Sequence, residues 1–208
     1  MEEWHQKLSY SVHHYVEDVI QTSDGDYIVV GGAGGDPLGG HAVQGKAFIL
    51  RMSEGGDVQW IKRYGIIDTP NNTFWGVVEA DDGGFVLAGE KLQDRNFEFY
   101  DHFWVMKTDA YGDEEWSIES GGNLWDEAQD IVKLSDDSYI VTGKTSLSST
   151  NLNMKVMRVS SSGQILWQNN HGGGNNDTAT GITLSQNEEM VAVVGYTRNS
   201  SGSPFNYR

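Results

Sequence analysis

The chain has 208 residues, 38% of them hydrophobic, which is enough for one domain with a sizeable core. Fourteen Lys and Arg against 30 Asp and Glu leave a formal charge of −16, so the surface repels polyanions and nucleic acid is excluded as a partner. There is no cysteine, hence no disulfide, thiolate metal site or cysteine nucleophile, and no apolar run is long enough to cross a bilayer.

The elements follow in chain order. "MEEWHQKLSY" reads as a strand and lacks the basic and apolar regions of a signal peptide. "DVIQTSDGDYIVVGG" from Asp18 is a strand, an Asp-Gly hairpin turn and a second strand. A long loop from Gly32 leads to the strand "AFILRM" from Ala47, then the glycine turn and tryptophan strand "GGDVQWIKRYG" from Gly55. The pattern returns as "GVVEADDGGFVLAGE" from Gly76, a loop from Glu90, "HFWVMK" from His102 and "TDAYGDEEW". It returns again as "DIVKLSDDSYIVTGK" from Asp130, "NMKVMR" from Asn153 and "SSSGQILW", and a last time as "GITLSQNEEMVAVVGY" from Gly181.

The tryptophans Trp4, Trp60, Trp116 and Trp167 mark the repeat at intervals of 56, 56 and 51 residues. Four short strands in a unit of that length define a blade of a β-propeller, so the fold is expected to be all-β, built of four-stranded antiparallel blades. The units are 11–67, 68–119, 120–170, and 171–208 completed by 1–10. On this reading the N-terminal strand closes a four-bladed ring and hides a sheet edge; alternatively the chain is a segment of a larger propeller. The repeated tryptophan is expected to pack between sheets.

The stretch "HGGGNNDTATGITLSQNEEMVAVVGYT" resembles the seven-bladed propeller repeats of bacterial surface and secreted proteins. "KTDAYGDEEW" is similar to the repeat of pyrroloquinoline-quinone-type propellers, where an Asp-Ala-x-Gly turn leads to an interblade tryptophan. The first resemblance implies an extracellular or cell-surface setting. The second implies a quinone-dependent dehydrogenase, although the cysteine pair that often flanks the quinone is missing here.

Strand alternation sorts the connections onto two faces. Hairpins from first to second and third to fourth strand are short and acidic, whereas the other connections are long and dissimilar, and variable loops on a rigid scaffold are where binding concentrates. The long-loop face therefore supplies the candidate ligand-binding residues. His14, Asn72, Asp126 and Asp177 form a polar column before each innermost strand, Asp101 and His102 end the loop from Glu90, and Trp75 and Trp125 lie near the connections between units. The column has two readings: convergence at the mouth of a central channel, or caps on the backbone N–H groups of the individual turns.

No catalytic residue is assigned. Gly-x-Ser-x-Gly, phosphate-loop and dinucleotide motifs are absent, and the histidines show no metal spacing. No cofactor is expected, Ca²⁺ being the one ion the Asp-Gly turns suit, without a twelve-residue loop to hold it. The function that follows is a non-enzymatic module presenting its long loops to a protein or carbohydrate, with no membrane insertion and with further blades of a parent chain as another class of partner. A propeller enzyme, quinone-dependent or glycan-cleaving, and a purely structural segment of a larger surface protein are the alternatives.

Overall fold

The computed structural model describes residues 13–34, 46–65, 72–95, 98–122, 124–148, 151–198 and 206–207. These residues form antiparallel strands and turns in a β-propeller fold, and the Gly32–Thr73 pairing joins the first eight strands into one sheet beside a four-stranded and a three-stranded one. Blade 1 comprises β1 (His13–Gln21), β2 (Tyr27–Gly34), β3 (Lys46–Met52) and β4 (Val58–Tyr64). Blade 2 comprises β5 (Thr73–Glu79), β6 (Phe85–Arg95), β7 (Glu98–Thr108) and β8 (Glu114–Ser120). Blade 3 comprises β9 (Glu127–Lys133), β10 (Tyr139–Ser148), β11 (Asn151–Val159) and β12 (Ile165–His171). Blade 4 comprises β13 (Asn176–Leu184), β14 (Val191–Arg198) and a short third strand, β15 (Asn206–Tyr207). The N-terminal strand that would complete blade 4, with Trp4, lies outside the described residues.

The hairpins follow from their turn residues. In "TSDGD", Thr22 and Asp26 close a five-residue turn through a backbone bond of 2.8 Å, and Gly25 takes the left-handed conformation that turn requires, at φ 96°. Asp137 and Glu188 hold the left-handed position in the corresponding turns of blades 3 and 4.

Each innermost strand carries a β-bulge that the sequence encodes twice. Strand two of every blade has a glycine opposite the bulge, Gly31, Gly89, Gly143 or Gly195, where an added Cβ would lie 1.9 to 2.1 Å from a carbonyl oxygen of the innermost strand. Just past the bulge, Asp and Gly alternate between blades: Asp18, Gly76, Asp130 and Gly181. Asp18 accepts from its neighbour Val19 N–H at 2.8 Å and from Val77 N–H in blade 2 at 3.1 Å. Asp130 does the same for Ile131 and, in blade 4, for Ile182, both at 2.8 Å. One carboxylate thus serves two blades, and the structural repeat is a pair of blades.

The core lies in the seams. Ile28, Val30, Ala47 and Ile49 of blade 1 meet Phe74, Leu87, Trp104 and Met106 of blade 2. Ala88, Phe103 and Val105 of blade 2 meet Ile131, Tyr139, Val141 and Met157 of blade 3. A latch repeats at the rim: Trp60 lies on the turn glycine Gly112, and Trp116 on Gly163, close enough that a Cβ on either glycine would come within 3.0 Å of the ring. Trp116 Nε1 also donates to the Ser161 carbonyl of the same turn at 3.0 Å.

Candidate functional site

Strand register lets the seams be compared position by position. In blade 2, where the stretch from Glu90 expected as a loop instead continues as paired β6 and β7 with Asp101 and His102 in strand, one rung reads Phe74, Gly89, Trp104 and Glu119 across the four strands. The same rung of blade 3 reads Ala128, Gly143, Lys155 and Asn170. One rung further, Tyr64 ends blade 1 opposite Ala47 and Ser120 stands opposite Phe103 in blade 2.

The consequences differ sharply. Between blades 1 and 2 the rings of Phe74 and Trp104 stack at 4.5 Å, and Tyr64 meets Phe74 edge-on at 5.8 Å. The Lys91 ammonium covers Trp104 from 5.4 Å, and the indole N–H donates to Ser117 Oγ at 2.7 Å. Between blades 2 and 3, Ser120, Ala128 and Lys155 stand where Tyr64, Phe74 and Trp104 do, and a cavity of about 350 Å³ opens. Its lining is polar: Ser120, Gly121, Gly122, Thr145, Lys155, Gln168 and Asn170.

Lys155 is 5% exposed. Its Nζ donates to Ser120 Oγ at 2.7 Å and sits 4.8 Å from the Phe103 ring centre. Burial lowers its pKa, with the negative charge of Asp126 acting in the other direction.

Asn72, Asp126 and Asp177 each turn back on their own blade. Asn72 Oδ1 accepts from Leu92 N–H at 3.1 Å. Asp126 accepts from Ser146 N–H at 3.2 Å, Gly122 N–H at 3.1 Å and the Thr145 hydroxyl. Asp177 accepts from Gly173 N–H at 3.0 Å and from Thr197 Oγ1. This is cap geometry, and it brings Asp126 to the cavity's edge through Thr145 and Gly122. His14 lies on β1 opposite Ala33, and its side chain is outside the described residues. Trp75 occupies the bulge of β5, its indole N–H buried with no hydrogen-bond partner among the described residues. Trp125 is exposed, held by reciprocal bonds with Ser146. His102 is buried opposite Lys91 in the β6–β7 pair.

Asp101 belongs to a different cluster. Its backbone pairs with the Trp125 segment and accepts from Asp126 N–H at 2.9 Å, tying blade 2 to blade 3. Its carboxyl, with those of Glu90 and Glu127, places one oxygen from each residue within 4.8 Å of the others. Lys144 pairs with Glu127 at 2.6 Å. Burial, then the charges of Glu127 and Asp101, push the Glu90 carboxyl up to about 9; burial and Glu127 push Asp101 up to about 6. Three oxygens at this spacing suit a hard cation such as Ca²⁺.

The cavity residues were not singled out by sequence reasoning. Lys155 carries the one signal available: it is the charged residue in a column otherwise filled by Phe48 and Trp104.

No protein-family model matches the chain, and no curated protein matches it. Among solved structures it is similar to a periplasmic gluconolactonase from Pseudomonas aeruginosa, with a TM-score of 0.39 and 11% identity over 86% of this chain and 64% of that one. It is also similar to an α-L-arabinofuranosidase from Clostridium thermocellum, with a TM-score of 0.42 and 11% identity over 91% of this chain and 70% of that one. The chain thus spans less than two thirds of the gluconolactonase, and neither activity is carried over to it.

Proposed function

We propose that the protein is a non-enzymatic β-propeller binding module that takes carbohydrate on its long-loop face, in the cavity between blades 2 and 3. The observation that carries this reading is the hollowing of one seam with a lining of hydroxyls, amides and an amine. Sugars are bound by converging side-chain donors and acceptors of this kind, and about 350 Å³ is at the small end of the roughly 300–1,000 Å³ typical of ligand sites. Gln168 and Asn170 lie on the outermost strand of blade 3 with exposed side chains, so they are free to exchange water for ligand hydroxyls.

The test is a screen of immobilised glycans with the wild-type protein, Gln168→Ala and Asn170→Ala. Binding to one carbohydrate class that falls at least tenfold in both variants is expected. No glycan bound, or binding indifferent to both substitutions, would overturn the reading.

A further inference from the structure

We propose that the cavity between blades 2 and 3 is selective for a carboxylated sugar, whose carboxylate is received by the Lys155 ammonium while Gln168 and Asn170 engage its hydroxyls. The inference rests on the carbohydrate reading above and adds the charge of the ligand.

Among the described residues, five other lysines of this protein, unlike the partly exposed Lys46, stand in ion pairs. Lys62 pairs with Asp113, Lys91 with Glu119, Lys107 with Asp82 and Glu115, Lys133 with Asp81, and Lys144 with Glu127. Lys107, with a side chain only 3% exposed, takes two carboxylates. Lys155 is similarly buried, yet among the described residues no carboxylate stands within ion-pair distance of it. Its partners are a neutral hydroxyl and the face of a phenyl ring. A buried charge without a counter-charge is expensive, and in a chain with an excess of 16 acidic charges a partner would be easy to supply.

Asp126 does not fill the role. Its oxygens are taken by Thr145, Ser146 and Gly122, so it lends a field to Lys155 without an ion pair. The space beside the ammonium is the cavity itself. A ligand carboxylate there completes the pair beside a buried ammonium, through charge-assisted hydrogen bonds stronger than neutral ones. The volume of about 350 Å³ admits one sugar ring, and the remaining donors and acceptors, Ser120, Gln168 and Asn170, match ring hydroxyls. The same register position holds Phe48 in blade 1 and Trp104 in blade 2, so the fold asks for an apolar ring here and blade 3 departs from it.

The test is calorimetric titration at pH 7 of the 208-residue protein with glucose, galactose and mannose and with their three uronates. At least one uronate is expected to bind tenfold or more tightly than its neutral parent, with the preference lost in Lys155→Met and kept in Lys155→Arg. Equal binding of a uronate and its parent, or a preference surviving in Lys155→Met, overturns the assignment of charge while leaving the carbohydrate reading in place. If none of the six sugars binds the wild type, both fail. Thermal unfolding of each variant, run alongside, separates lost binding from lost fold, and the Arg variant provides a charged control of similar length.

Discussion

Where blade 1 meets blade 2, Tyr64, Phe74 and Trp104 fill the long-loop end with stacked rings. Where blade 2 meets blade 3, Ser120, Ala128 and Lys155 hold the same register positions, and a cavity lined by Ser120 and Lys155 opens there. The backbone is the same in both: a bulged inner strand, an obligatory glycine opposite it and a hairpin latch at the rim. In a repeat fold each unit touches only its neighbours, so one seam can be emptied while the next holds the structure together. Both seams keep a buried core, and only their long-loop ends differ.

The comparison breaks most visibly at Trp104. Trp104→Ala removes a fully buried ring from the packed seam and should cost about 3–5 kcal/mol, read as a lower midpoint in urea unfolding. A cost under about 1 kcal/mol would mean that the first seam is no better packed than the second.

Next in size is the acidic cluster beside the open seam. An unfolded Glu90 titrates near 4.5, whereas the folded carboxyl holds its proton to about 9. Between these values the folded state binds more protons, so the stability contributed by neutral Glu90 is complete below pH 4.5 and is lost as the pH rises toward 9. Asp101, raised to about 6, adds to the same slope at its lower end. Glu90→Gln stays neutral throughout and should gain on the wild type by roughly 4 kcal/mol between pH 5 and 8, since each pKa unit is worth about 1.4 kcal/mol. Parallel unfolding curves for the two proteins across that range would remove the cluster from the account.

Much of this fold was legible in the sequence, and the reason is physical. Turn geometry and tryptophan packing are local demands, so Gly25, Gly56 and Gly112 announce the hairpins and Trp60, Trp116 and Trp167 announce the period. The cavity was not legible because it is a difference between seams. Its three determining positions, Ser120, Ala128 and Lys155, come from three strands of two blades, and Lys155 sits inside the apolar-looking run "NMKVMR". Only the register that places Lys155 level with Trp104 turns that run into a statement about chemistry. Asp101 was a candidate from the sequence, but its meeting with Glu90 and Glu127 was hidden for the same reason, since Glu127 joins the other two across a blade boundary.

A smaller effect follows for the lysine itself. Lys155→Met keeps much of the side-chain volume and relieves a buried, unpaired charge, so it should raise stability by about 1 kcal/mol in the absence of ligand. A fall of similar size in chemical denaturation would mean that the Ser120 bond and the Phe103 contact already compensate the ammonium, and that the open seam is as settled as the closed one.

The smallest effect is expected at Trp167, and it sharpens the comparison of seams by extending it to the rim. Trp60 and Trp116 are half-buried, each covered by the turn glycine of the following blade, and Trp60 lies 6.5 Å from Phe85. Trp167 has the same place in its strand but is 37% exposed, and among the described residues no glycine turn covers its ring. Burying a large apolar side chain is worth about 1.5–3 kcal/mol, so Trp60→Ala and Trp116→Ala should each lose a sum in that range, while Trp167→Ala should lose less than about 1 kcal/mol. Tryptophan fluorescence offers a second reading of the same contrast: an acrylamide quencher should reach Trp167 before the two latched rings, and a double variant lacking Trp60 and Trp116 should quench more steeply than the wild type. Equal losses at all three positions would mean that the third latch is closed in solution, covered by residues that bring blade 4 to the same packing as its neighbours.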